Sequence, residues 1–359
     1  MIISPEPWNH IFVSKHHYAV QLGTRGNTVY FLGPPGKNYD LSGTQYKNVF
    51  ELKYKGFIRG LRYFPTCIIK IEILSVFKKL QTLCGVSFDI IWSFDNSVFF
   101  DFSALPKSVI KISHIVDLNQ NFQTKKAAET ALVCLGTTDL IVGRLKSFNP
   151  KSFKIKHGYN LTQDNKGDLK LPGESNTKAV YAGNLNMEYL DWQVLFYTIE
   201  QNEKVDFVFV GPGNDDFDLY GNITHKYKKL CLEKLNVFCV GKVGPEVLSA
   251  YYNKSDMLLI CYQEAFHSHQ ANPHKMMEYL GSGKVVVATK TIEYISLKEK
   301  GLIAMSEMNS EFPQLFKQTV NQLEKYNGYL KQEERKEYAL ENTYEKQIER
   351  IETVISDNE

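Results

Sequence analysis

Asn272 to Thr289 reads NPHKMMEYLGSGKVVVAT, and within these eighteen residues a polar loop, a short helix, a glycine turn and a β-branched strand follow one another. Asn272-Pro273 suits a helix entry, because proline in the first turn gives up no hydrogen bond and asparagine before it can cap exposed N–H groups. Lys275 and Glu278 then share a helix face, while Met276, Tyr279 and Leu280 turn toward a core. Gly281 or Gly283 ends the helix, and Val285 to Val287 is an apolar run suited to a buried parallel strand. A helix N-terminus with a lysine in its first turn attracts phosphate, and a carboxylate one turn later accepts hydrogen bonds from a ribose diol. The same spacing also fits a solvent-exposed Lys275–Glu278 ion pair on an ordinary connection.

Outward from this segment, short apolar runs alternate with longer helical patterns, as in doubly wound α/β structure. In the first half, Met1 to Ser4, Thr28 to Leu32, Phe88 to Trp92, Val109 to Ile112 and Leu140 to Val142 read as strands, with helices over Ser14 to Thr24 and Thr124 to Leu135. Thr162 to Lys178 has linker composition. In the second half, strands are expected at Ala179 to Ala182, Phe207 to Val210, Val237 to Val240, Met257 to Cys261 and Val285 to Ala288. Helices fit Leu190 to Gln201, Thr224 to Leu235, Val247 to Tyr252 and His274 to Leu280, and Gln332 to Ile355 reads as a solvated terminal helix.

The order of these elements resembles that of GT-B glycosyltransferases, the group 1 family that builds bacterial surface polysaccharides. NPHKMMEYLGSGKVVVAT is similar to its P-x-K-x-x-E-Y-x-x-x-G-K-x-V-V motif, and KIKHGYN, AVYAGNL, FVFVGPG, NVFCVGKV and SAYYNKSDMLLICY resemble further family segments in sequence order. The resemblance covers about 150 to 320 well and the first half more loosely. It implies two facing Rossmann-like domains with parallel sheets: an acceptor domain over 1–165, a nucleotide-sugar domain over 166–331, and a helix over 332–359 packing back on the first. It also implies that Glu278 binds the donor ribose, that Lys275, His274, Asn272 and the helix N-terminus lie near the diphosphate, and that Gly183, Gly211 and Lys242 border the nucleotide. The resemblance further implies a UDP- or GDP-linked sugar as donor and a glycan or lipid-linked molecule as acceptor, with no cofactor or metal expected.

Departures from the family bear on the chemistry. Where members carry a second glutamate eight residues before Glu278, this chain has Gln270, which can hydrogen-bond a sugar hydroxyl without supplying charge. The family's Arg and Lys after the first strand of the second domain are absent; AGNLNMEYLD offers Asn184. Lys275, with Lys242 or His274, then has to neutralise the leaving diphosphate. These departures favour an alternative, a GT-B-like protein that binds nucleotide or glycan without catalysis.

For catalysis, Asp117 in ISHIVDLN matches an aspartate facing the acceptor in some GT-B enzymes, and His114 resembles a histidine that contacts the donor sugar. Asp117 equally fits a capping residue and His114 a satisfied polar one. His267 and His269 lie in the loop before the donor helix, where solvation is the plainer reading. Asp215-Asp216 reads as loop polarity, and Gly211-Pro212-Gly213 lacks the spacing of a dinucleotide fingerprint, which disfavours an oxidoreductase.

Composition sets the outer limits. The 359 residues exceed what one core serves, 43% hydrophobic content supplies two, and a net charge of +2 speaks against nucleic acid as a partner. Six cysteines without a C-x-x-C pair read as buried reduced thiols, and MIISPEPWNH lacks the pattern of a signal peptide, so a cytoplasmic location is expected. The positive imbalance is local: Tyr46 to Leu80 holds eight Lys or Arg against two Glu, interleaved with aromatics. That suits peripheral contact with an anionic inner membrane face, reception of an anionic acceptor, or a basic helix on a soluble protein.

Overall fold

The computed structural model describes residues 1–10, 12–118, 123–161, 169–213, 223–266 and 272–359. The chain divides into two compact units: Met1–Gly158 with Tyr344–Glu359, and Tyr159–Thr343. These divisions differ from the boundaries read from the sequence at 165 and 332.

The first unit carries an eight-stranded sheet. Its strands are β1 (Ile2–Ile3), β2 (Val29–Leu32), β3 (Asp40–Gly43), β4 (Val49–Lys53), β5 (Ile90–Ser93), β6 (Ile110–Ile115), β7 (Val133–Gly136) and β8 (Ser152–Lys154), ordered β3-β4-β2-β1-β5-β6-β7-β8. Only β3 pairs antiparallel, with β4. The helices before Tyr159 are α1 (Ser14–Thr24), α2 (Thr66–Cys84), α3 (Thr124–Thr130) and α4 (Asp139–Lys146). Successive strand residues face opposite layers. Ile3, Leu32 and Ile91 share a core with Ile73 and Phe77 of α2, while Ile2, Phe31 and Trp92 share another with Tyr18 of α1 and with Tyr344, Ile348 and Ile351 of the terminal helix.

Two expectations fail here. Thr124 to Leu135 is not one helix: α3 stops at Thr130, and Val133–Gly136 is β7. Leu140 to Val142 is not a strand but the interior of α4, whose N-cap Thr138 accepts a hydrogen bond from the Ile141 amide. A three-residue apolar run has no readable period, so the capping threonine is the better guide.

The second unit holds a six-stranded parallel sheet of β9 (Thr177–Ala182), β10 (Val205–Val210), β11 (Val237–Gly241), β12 (Met257–Ile260), β13 (Val285–Ala288) and β14 (Ile303–Met305), ordered β11-β10-β9-β12-β13-β14. Around it lie α5 (Trp192–Glu200), α6 (Ile223–Leu232), α7 (Pro245–Lys254), α8 (Lys275–Gly281), α9 (Ile295–Glu299), α10 (Phe312–Asn321), α11 (Leu323–Tyr326) and α12 (Tyr329–Leu340). One core of fully buried β-branched and aromatic side chains binds these layers. The expected single helix over Gln332 to Ile355 is two: α12 stays with the second unit, and α13 (Tyr344–Ser356) belongs to the first. Arg335, buried in α12, fastens it to the sheet by donating to the carbonyl oxygens of Leu302, Gly283 and Tyr326 at 2.8, 2.9 and 2.8 Å.

Both units are α/β with parallel-dominated sheets. Among the described residues no helix is long and apolar enough to cross a membrane. All six cysteines are free thiols; Cys134, Cys231 and Cys261 are buried, and Cys67 is exposed, contrary to expectation.

Candidate functional site

In the second sheet the strand order reverses between β9 and β12, and such switch points open a crevice at the carboxyl ends of the strands. Glycine keeps that edge low. Gly183, just beyond β9, has φ +148°, and Gly211, just beyond β10, has φ +145°. A Cβ on Gly211 would lie 2.0 Å from the Gly183 carbonyl oxygen. The Gly183 amide donates to Val210 O at 2.9 Å and the Gly211 amide to Gly241 O at 2.8 Å, so three strand ends are laced together.

α8 enters at this edge. Lys275 Nζ donates to the Ala182 carbonyl oxygen at 2.8 Å and lies 3.8 Å from the centre of the Tyr181 ring and 5.5 Å from that of Tyr262. The Ala182 amide donates to Tyr279 Oη at 2.9 Å, so α8 holds both polar groups of one residue. Burial lowers the Lys275 pKa to about 7, with Glu278 acting in the opposite direction. Tyr252 Oη donates to Glu278 Oε2 at 3.2 Å, and His274 Nδ1 lies 3.7 Å from Oε1. Burial holds Tyr181, Tyr252, Tyr262 and Tyr279 in the protonated form, each pushed above the usual phenol range.

The ordinary exposed Lys275–Glu278 pair is therefore not what the helix forms: the lysine turns inward to a carbonyl, and the glutamate is held by a buried tyrosine. Asn272 does not cap α8. His274 occupies the cap position in helical backbone, its side chain making no capping bond to the helix, and Asn272 Oδ1 accepts from Tyr294 Oη. Lys242 is exposed immediately after β11. Gln270, His267, His269 and Asp215-Asp216 lie outside the described residues. Sequence reasoning missed Lys228: from α6, buried, it donates to Asn186 Oδ1 and Gly213 O, both at 2.6 Å, and so ties the loop after β9 to the loop after β10. No spacing links residues forty-two positions apart. Tyr252 lies in the SAYYNKSDMLLICY segment, twenty-six residues before Glu278, where no local spacing links the two.

In the first unit, His114 is buried on β6, stacked against Phe94 and Trp92 with ring centres 4.7 and 5.9 Å away. Its Nδ1 accepts from Trp92 Nε1 at 3.3 Å, and its Nε2 has no partner among the described residues. Burial pulls its pKa down to about 3, so the ring is neutral. Asp117 follows β6, exposed, yet the surrounding protein desolvates its carboxyl enough to raise the pKa; Lys15 lowers it and Glu6 raises it. Lys15 is itself buried and ion-paired with Glu6. Among the described residues no group of three or more His, Cys, Asp or Glu is placed to hold a metal ion.

No protein-family model matches the chain, and no curated protein matches it by sequence. Solved structures do match. A glycosyltransferase from Rickettsia africae superimposes with a TM-score of 0.68 at 12% identity, covering 99% of this chain and 97% of that one. The fold is GT-B. Two further GT-B chains fit as well. Sucrose-phosphate synthase from Thermosynechococcus elongatus has a TM-score of 0.69 at 12% identity, covering 99% of this chain and 98% of that one. HepE from Anabaena, solved with UDP and glucose, has a TM-score of 0.66 at 13% identity, covering 99% and 98%. At such identities the GT-B likeness is one of fold.

Proposed function

We propose that this GT-B chain is a glycosyltransferase that moves a sugar from a UDP- or GDP-linked donor, without a metal, to a glycan or lipid-linked acceptor in cell-envelope, capsule or exopolysaccharide synthesis at the cytoplasmic membrane face. The observation that carries it is the α8 arrangement: a half-buried lysine bonded to the carboxyl end of β9, with a glutamate oriented by Tyr252 one turn later. Fold likeness to a chain named as a glycosyltransferase supports the class of reaction. In this reading Lys275 and the amides beside it meet the diphosphate, Glu278 accepts hydrogen bonds from the ribose, and Gly183 and Gly211, by letting the strand ends close on one another, shape the edge that borders the nucleotide. The anomeric carbon gains a bond to the acceptor oxygen as its bond to the diphosphate oxygen breaks. If the product is inverted, Asp117 takes the acceptor's proton; its raised pKa makes it a stronger base than an ordinary aspartate.

Calorimetric titration of UDP, GDP, ADP and CMP on the wild type and on Glu278→Ala, followed by donor hydrolysis, tests this. Selective binding that Glu278→Ala loses, with slow hydrolysis of the matching nucleotide sugar, is the expected result. Failure of every nucleotide to bind refutes the donor site. Binding without hydrolysis or transfer favours the second reading, a non-catalytic nucleotide or glycan binder. That reading draws support from the loop after β9, where Asn184 Oδ1 accepts from the Asn186 amide and the loop's own sequence lacks the family's Arg and Lys.

A further inference from the structure

We propose that the corner from Ile58 to Ile71 of the first unit docks on an anionic lipid bilayer. The chain turns there through Gly60, at φ +74°, into the 3-10 turn Leu61–Tyr63, and α2 starts after Pro65. Leu61, Ile69 and Ile73 point inward and fix the corner to the core. The rest faces water: Tyr63 is 78% exposed, Ile71 68% and Ile58 49%, with Phe64 and Ile68 exposed beside them. Lys55, Arg59 and Arg62 stand exposed in the same stretch, and Tyr54 to Ile71 contains no acidic residue.

Soluble surfaces scatter exposed apolar side chains singly, and large apolar patches mark contact sites. Here five crowd one corner, with cations between them. Tyr63 and Ile71 keep more than two thirds of their surface in water, which suits a receiving surface that deforms around them, as the boundary of headgroups and acyl chains does. The cations then meet lipid phosphates, and Tyr63, whose Oη accepts from Arg62 Nη2 at 2.7 Å, has the apolar ring and polar tip favoured at that depth. The purpose rests on the transferase reading, since docking brings a lipid-linked acceptor to this unit; the docking itself needs no nucleotide.

Sedimentation of the full chain with phosphatidylcholine vesicles, with and without phosphatidylglycerol, tests the proposal. The wild type is expected to pellet with the anionic vesicles only, less as salt rises. Arg59→Ser with Arg62→Ser lowers partitioning by about 30-fold. Tyr63→Ser with Phe64→Ser lowers it at least as far, and both double variants keep the wild-type melting temperature because the residues are exposed. Absence of vesicle binding, equal binding to neutral vesicles, or binding unchanged in either variant overturns the proposal. So does self-association without vesicle binding that Tyr63→Ser with Phe64→Ser abolishes, which would make the corner a contact between copies. Vesicle binding by a chain that binds no nucleotide keeps this proposal and removes the donor site; the converse removes only this one.

Discussion

The ammonium of Lys275 and the carbonyl oxygen of Ala182 lie 2.8 Å apart, which seats the cation of α8 on the carboxyl end of β9. An ammonium has three donors, so a diphosphate can be added without breaking this bond. What a diphosphate changes is the protonation balance.

With a pKa lowered to about 7 by burial, Lys275 is partly neutral in the free protein near neutrality. A bound diphosphate favours the ammonium and raises that pKa. Affinity for a nucleotide sugar is therefore full below the free pKa and falls as pH rises above it, approaching about tenfold per pH unit. Calorimetry in buffers of different ionisation enthalpy is expected to show proton uptake on binding above neutrality, and Lys275→Met to show neither the uptake nor the slope.

Tyr252 acts on the donor through Glu278. Tyr252→Phe removes a hydrogen bond to a charged group, and weakens ribonucleotide binding by about 1 to 2 kcal/mol, roughly five- to thirtyfold. A 2′,3′-dideoxynucleotide, which lacks the diol, is expected to bind both proteins equally; a parallel loss for both ligands would mean that Tyr252 serves the core only.

Gly211→Ala places a methyl group 2.0 Å from Gly183 O at a φ of +145°. Denaturant titration is expected to show a loss of about 2 kcal/mol or more, with nucleotide affinity lost as well. Gly143→Ala is the matched control: its Cβ meets nothing within 4 Å in the interior of α4, and a gain of about 0.5 to 1 kcal/mol is expected.

Arg335→Met strips three carbonyl oxygens of their donor. Denaturation of the variant is expected to show a loss of about 3 to 5 kcal/mol, and Arg335→Lys fails to restore it because one ammonium cannot reproduce the planar fork.

The second half was the more legible in sequence because four of its strands carry continuous apolar runs of four residues between helices with clear entries, as a sheet buried on both faces requires. The first half hid more. β3 (DLSG) and β8 (SFK) carry almost no apolar signal, β4 (VFELK) lay inside a segment read for its charge, and VCLG continued a helical pattern until its neighbours were known. At the site, Lys275 and Glu278 were legible because one helical turn fixes their spacing. Their partners Ala182, Tyr181 and Tyr252 come from other elements, and tertiary pairing leaves no mark on local spacing. Asn272 was misread for the same reason, since Tyr294, twenty-two residues away, takes its oxygen.

α13 sets an order in time for the making of this protein. Tyr344, Ile348 and Ile351 form one wall of a core with Tyr18, Trp92 and Phe94, so the sheet that is synthesised first lacks that wall until the last residues emerge. Between Gly158 and Tyr344 lies the whole of the second unit. At ordinary synthesis rates that interval lasts about 10 to 40 s. The unit begun second is thus the first to be complete, and a released chain that ended at Thr343 would carry one finished sheet and one with an open apolar face.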